Sequence, residues 1–260
     1  MSGLEKAERE YDPVERPYRW TTEGARRMWA CYAKRTIDND IQSGFYPPDF
    51  YKQILKIAGA KLKGKSKALD MGCSTGTFMR LLLEKGWEVY GTDLQKAVIE
   101  RLRRAFSGEE KTPTLKTAKN DKLPFDDESF DVVFCTEVLE HMLDEDRLML
   151  LNEARRVLRV GGVFVASTPY KERLRTVICP ECLSSFHPMG HVTCVDESIA
   201  RRWLLECGLK PIVERTFPTV LIREQDGFAY RMMKVFARSL MGDFLAEHLA
   251  AILCFIGERS

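Results

Sequence analysis

Ala68-Leu69-Asp70-Met71-Gly72-Cys73-Ser74-Thr75-Gly76-Thr77-Phe78 runs from an apolar strand, through an acid, into a turn holding two glycines and on into a helix. Glycine lets a backbone approach a ligand closely and take up angles denied to other residues. The helix that follows presents its N-terminus to whatever lies beyond the turn, and in a doubly wound sheet that is the crevice where ligands bind. A dinucleotide fold wants three glycines in the pattern G-x-G-x-x-G to admit a pyrophosphate. Asp70 would repel that group, whereas an acid suits a ligand carrying an amino group. The next strand ends in Tyr90-Gly91-Thr92-Asp93, where a carboxylate can accept both hydroxyls of a ribose.

Outward from this point, short apolar runs alternate with amphipathic segments, which predicts βαβ units and a mainly parallel sheet. Strands are expected at Lys67–Asp70, Trp87–Asp93, Asp131–Cys135, Gly162–Ser167, Pro211–Val213 and Ile252–Ile256. Between them, Phe78, Leu81 and Leu82 share a helical face, as do Val98, Leu102 and Phe106, and also Leu148, Leu151 and Leu158. Asp196 is placed to cap a helix that buries Ile199, Trp203 and Leu204 and stops at Gly208. The fold class expected is α/β, a Rossmann-like seven-stranded mainly parallel sheet with helices on both faces. Residues 1–63 are expected to form an N-terminal arm and helical cap, with residues up to about 20 a loose arm. Residues 64–260 form the main domain, with a candidate zinc knuckle loop at 171–195 and a C-terminal helical insertion at 214–248. That insertion carries Phe228, Tyr230, Met232, Met233, Val235 and Phe236, a mixture that is more often core than ligand wall.

The 260 residues are 45% hydrophobic, enough to cover both faces of such a sheet. Lys and Arg number 40 against 38 Asp and Glu, and the net charge of +2 supplies no strong field for a polyanion, so nucleic acid binding is unsupported. The apolar run Leu249–Ile256 is far below the roughly 20 residues of a membrane span, and the N-terminus has no apolar signal core. A cytoplasmic protein without a membrane span is expected, its eight cysteines reduced. Nothing in the sequence speaks for a particular oligomeric state.

The chain resembles the class I S-adenosylmethionine-dependent methyltransferases of type 11, typified by ubiquinone and menaquinone O-methyltransferases. Besides the turn and Asp93, the resemblance is carried by Leu123-Pro124-Phe125-Asp126-Asp127-Glu128-Ser129-Phe130-Asp131-Val132-Val133-Phe134, by Glu137-Val138-Leu139-Glu140-His141 and by Leu158-Arg159-Val160-Gly161-Gly162. It runs from about Lys67 to Leu209. It implies S-adenosylmethionine as cofactor, with Asp70, Gly72, Cys73, Ser74 and Gly76 around its methionine portion, Asp93 and Leu94 at the ribose, and Asn120, Asp121 and Cys135 completing the site. Ser74 stands where the family usually has a second glycine. Lys119 stands where it often has an acid, so that Asn120 or Asp121 would have to serve the adenine.

Methyl transfer from a sulfonium chiefly needs alignment and exclusion of water, and a base where the acceptor is a hydroxyl. Glu137 and His141 are the candidate catalytic residues, His141 because an ordinary imidazole titrates near neutrality. The competing reading has Glu137 and Glu140 orient the loop while His141 packs. Cys179-Pro180-Glu181-Cys182 followed by His187 and His191 supplies four ligands of the kind tetrahedral zinc prefers, with Cys194 as a fifth. A structural zinc, a substrate-facing histidine and simple packing all remain open for this loop. The expected activity is O-methylation of a small molecule or of a sugar- or lipid-linked intermediate. RNA or protein methylation, suggested by the basic residues around 61–67 and 101–104, is the alternative enzyme. A non-catalytic scaffold of the same fold is the alternative outside enzymes.

Overall fold

Within each central strand the side chains alternate between two separate apolar layers, so both faces of the sheet must be covered. Ala68, Val132, Val163, Val165, Cys254 and Ile256 point to one side, while Leu69, Val133, Phe164, Ala166, Leu253 and Phe255 point to the other. The computed structural model describes residues 16–38, 46–119, 122–174, 176–218 and 251–260. In chain order its elements are β1 Arg16–Pro17, α1 Thr22–Asp38, α2 Pro48–Ala58, β2 Lys67–Met71, α3 Thr77–Glu84, β3 Glu88–Asp93, α4 Lys96–Ala105, β4 Thr114–Thr117 and β5 Phe130–Thr136. These are followed by α5 Asp144–Val157, β6 Leu158–Tyr170, β7 Val177–Ile178, β8 Ser184–Phe186, α6 Glu197–Glu206, β9 Lys210–Pro218 and β10 Ala251–Glu258.

Among the described residues, seven strands form one sheet in the order β4-β3-β2-β5-β6-β10-β9, parallel except for β10, which runs antiparallel to both neighbours. The chain starts at β2, moves outward through β3 and β4, and returns to lay β5 on the other side of β2. That reversal opens a crevice at the carboxyl ends of β2 and β5. Helices α2, α3 and α4 cover one face through Ile54, Phe78, Leu82, Ile99 and Leu102. Helices α5 and α6 cover the other through Leu151, Ala154, Trp203 and Leu204.

Four expectations are corrected. The α5 face is Arg147, Leu151, Ala154 and Val157. Leu148 is exposed, and Leu158 opens β6 because the helix unwinds there to pair with Phe130. Residues 16–18 are not loose: Arg16 and Pro17 pair with Ser184 and Ser185, and the Tyr18 amide donates to the Ser185 carbonyl at 2.8 Å. Residues 214–218 continue β9 as sheet beside β10 and are not helical insertion. Thr114–Thr117 is a strand the periodicity missed, because four residues with one buried side chain carry almost no pattern. The rest of the expected insertion, including Phe228 to Phe236, lies outside the described residues. Among the described residues no helix is long and apolar enough to cross a membrane.

The α5 assignment is directly testable. Leu151→Ala should lower stability by roughly 2–5 kcal/mol through the cavity it leaves, and Leu148→Ala should stay within about 0.5 kcal/mol. Urea denaturation of the two variants reads the difference.

Candidate active site

The turn after β2 is held by the neighbouring strand. The amides of Gly72 and Cys73 both donate to the Thr92 carbonyl, at 2.8 and 3.1 Å, and the Gly76 amide closes the loop on the Cys73 carbonyl at 2.8 Å. Gly72 has φ of +77°, and a side chain there would come within 2.7 Å of Val138 Cγ2. Gly76, at φ +82°, opens α3. Ser74 also sits at positive φ, +44°, a conformation glycine adopts without cost.

Asp93 ends β3 beside this turn. Its Oδ1 accepts the Gln95 amide at 2.9 Å and its Oδ2 the Ser74 amide at 3.4 Å. Burial raises its pKa, while the amides of Gln95, Ser74 and Leu94 pull the other way. Asp70 is buried to 2% exposure at the end of β2. Its desolvation, and after that the charge of Asp93, pushes it up to about 7. Tyr51 from α2, Cys73 in the turn and Cys135 from β5 also face Asp70, all acidic groups that add no positive charge. A crevice walled by two such carboxylates favours a ligand that brings its own cation.

A cavity of about 1550 Å³ opens above this crevice, larger than the several hundred to about 1000 Å³ of a typical single-ligand pocket. Asp70, Gly72, Cys73, Ser74, Asp93 and Leu94 line one end. Glu137, Glu140, His141, Glu172, His187 and His191 line another part, with Trp29, Tyr46 and Tyr51 from the N-terminal helical segment. Glu137 leaves β5 at a positive φ of +54°, a strained geometry that recurs at functional sites. Ser167 Oγ donates to its Oε1 at 2.7 Å and Tyr46 OH to its Oε2 at 2.9 Å. Burial outweighs both hydroxyls and pushes Glu137 up to about 7. His141 goes the other way. Burial, then the neighbouring His191, lowers it to about 3, against the pull of the Gly190 carbonyl. Its ring lies 4.2 Å from Trp29 between centroids. His141 is therefore a neutral and weak base, and Glu137 is the group poised near neutrality.

The cysteine and histidine loop splits into two parts. Cys179 and Cys182 lie in the β7–β8 hairpin, where the Cys179 amide donates to the Ser184 carbonyl at 2.9 Å and the Leu183 amide to the Cys179 carbonyl at 2.9 Å. His187 and His191 stack at 4.5 Å and turn toward the cavity with Glu172. The structure does not bring the expected quartet together. Among the described residues, the groups whose ligand atoms lie within 4.8 Å of one another are Glu140, His141 and His191, and Glu172, His187 and His191. The hairpin's short strands pair with each other and with β1, which holds the thiols away from the cavity.

Of the residues expected at the cofactor, Gly76 and Cys135 do not line the cavity. The space beside Gly76 is taken by Leu102 and Phe106 of the core, and Cys135 is wholly buried on β5. Asn120 and Asp121 lie outside the described residues, flanked by Lys119 and Lys122 on the cavity wall. Sequence reasoning missed Trp29, Tyr46, Tyr51 and Glu172. Each reaches the site across many residues of chain, with no motif to mark it.

The sheet order, the reversal beside β2 and an acid after each of its first two strands define the class I S-adenosylmethionine-dependent methyltransferases. Residues 69–166 match the family described as methyltransferase domain. The chain is 33% identical over 101 residues to a probable S-adenosylmethionine-dependent methyltransferase of Mycolicibacterium smegmatis, covering 39% of this chain and 37% of that one. It is 26% identical to a ubiquinone biosynthesis O-methyltransferase of Coxiella burnetii, covering 57% and 65%. The chain thus spans less than two thirds of the length of these relatives. In fold it is similar to the Burkholderia thailandensis 1,6-didemethyltoxoflavin-N1-methyltransferase, with TM-score 0.64, 15% identity and coverage of 95% and 94%.

The residues present suit the family's cofactor: two buried acids flank the Gly72 turn, and carboxylates are groups that can pair with an ammonium and accept ribose hydroxyls. Two outcomes follow. If Asp70 pairs with the cofactor's ammonium, S-adenosylmethionine affinity should fall as pH drops below about 7, where Asp70 takes up its proton, and calorimetry across pH 5.5 to 8 reads this. In the free protein the same raised pKa works against folding as pH climbs from the ordinary aspartate range toward 7, so cofactor should stabilise most at the alkaline end. Ser74→Gly should keep cofactor affinity and raise stability by up to about 1 kcal/mol, by removing a side chain from positive φ.

Proposed function

We propose that the chain transfers a methyl group from S-adenosylmethionine to an oxygen of a small molecule, or of a sugar- or lipid-linked intermediate. When bound, the cofactor supplies an electrophilic methyl on a cationic sulfur. Asp93 would hold its ribose hydroxyls, and Asp70 with the Gly72 turn its methionine end. The observation that carries oxygen as acceptor is Glu137: a carboxyl near neutral pKa, on the same cavity wall, aimed by Ser167 and Tyr46. An acceptor hydroxyl would give its proton to Glu137 as its oxygen attacks, with the Tyr46 hydroxyl steadying the carboxyl. Trp29 and Met142 supply apolar wall to the cavity. The ubiquinone biosynthesis O-methyltransferase among the relatives supports the same reaction class. The cytoplasm is the proposed place of action, in keeping with eight free cysteines.

Incubation with methyl-labelled S-adenosylmethionine and a panel of phenols, hydroxylated lipids, sugars, bulk RNA and protein tests this. Label should pass to a hydroxyl compound, and transfer to RNA or protein alone would replace the reading. Glu137→Gln should cut kcat by about 10² to 10⁴, the range of a lost general base, while S-adenosylmethionine still binds as before.

A further inference from the structure

Glu140 is 1% exposed, and neither of its carboxylate oxygens has a hydrogen-bond partner among the described residues. A buried, unpartnered carboxylate calls for a ligand to satisfy it. His141 Nε2 stands 3.7 Å from its Oε1, and one ligand atom each of Glu140, His141 and His191 falls within 4.8 Å of the others. Atoms sharing one zinc-sized ion stand roughly 3–3.5 Å apart, given bonds of about 2.1 Å. Side-chain rotations of about an ångström close that difference.

Both histidines are already turned for the task. The Nδ1 of His141 faces the Gly190 carbonyl at 3.4 Å, and the Nδ1 of His191 is paired with Glu172 Oε2. Each pairing puts the ring proton on Nδ1 and leaves the Nε2 lone pair for a metal, as backbone carbonyls and carboxylates do behind metal-bound histidines. Glu172 is itself held by His187, whose Nε2 lies 3.6 Å from Oε1. The His191 amide donates to His187 Nδ1 at 3.2 Å, which leaves the His187 proton on Nε2, toward Glu172. His187 is thereby a support and not a ligand. The Val192 amide donates to the Glu140 carbonyl at 2.8 Å and ties the two ligand-bearing segments together.

We propose that Glu140, His141 and His191 bind one divalent transition-metal ion of the zinc class in the wall of the cavity, with Glu172 and His187 behind them. Two imidazoles and one carboxylate suit zinc and its first-row neighbours, and three protein ligands leave a position open to the cavity. Resting on the methyl-transfer reading, that open position takes an acceptor oxygen, and coordination lowers the pKa of its hydroxyl beside Glu137. The cysteine pair is no part of the site.

Chelator-treated protein titrated with Co²⁺ alone, followed by visible absorption and by metal analysis, tests this without reference to methyl transfer. One equivalent should saturate the protein, giving d–d bands with no thiolate charge-transfer band. His191→Ala and Glu140→Gln should weaken binding at least tenfold, and Glu172→Gln, which keeps the volume, by roughly 10–100-fold. The double variant Cys179→Ser, Cys182→Ser should bind as the parent does. The site is overturned by absence of saturable binding in folded parent protein, by a thiolate band lost in the cysteine variant, or by unchanged affinity in folded Glu140, His191 and Glu172 variants. Methyl transfer by a protein that binds no metal would sink this site and leave the proposed reaction standing.

Discussion

Parallel pairing of β2 with β3, in the register that sets Asp70 opposite Gly91 and Met71 opposite Thr92, is what the site depends on. It puts the Thr92 carbonyl where the Gly72 and Cys73 amides can both reach it, and so fixes the bend between the two acids. A slip of one residue would turn Asp70 to the opposite face of the sheet. The register delivers two carboxylates to one dry crevice, an arrangement that is unfavourable on its own, since desolvation raises the pKa of both. A ligand carrying a positive charge and a pair of hydroxyls relieves it.

The same principle extends along the cavity. Glu137 and Glu140 are both pushed up by burial, and Glu140 also by the charge of Glu137. They differ in what offsets the desolvation. Glu137 receives two hydroxyls, from Ser167 and Tyr46. Glu140 receives none among the described residues and faces two histidines whose outer nitrogens are already engaged. The proposed base is thus the carboxyl that two hydroxyls hold and the proposed metal ligand the one that none holds, although only three positions separate them in the chain.

The pieces around the sheet converge on that wall. Helix α1 brings Trp29 against His141, Tyr46 ahead of α2 reaches Glu137, and β1 pairs with the hairpin that precedes His187. The N-terminal segment is therefore part of the site, and its pairing with β8 links it to the histidine loop. Burial of aromatic surface here does two things at once: it holds the segment down and lowers the local dielectric that sets every pKa in the cavity.

The class of fold and the bend beside Asp70 and Asp93 were legible in the sequence, because both rest on local rules. Strand and helix periods show in the apolar pattern, and the Gly72 bend with Asp70 and Asp93 needs particular residues at strand ends. Helix faces were legible where the pattern was regular, as in α3 and α4, and misread in α5, where a buried Arg147 stacks on Trp203 and Leu148 is left outside. Tertiary structure alone decided which titratable groups meet. Spacing could group Cys179 and Cys182 with the histidines, but strand pairing ties the cysteines into a hairpin and turns His191 toward Glu140, some fifty residues earlier in the chain. It also decided that His141 is a weak base and Glu137 a moderate one, since burial and hydrogen-bond partners, which set a pKa, come from segments distant in sequence and carry no local signature.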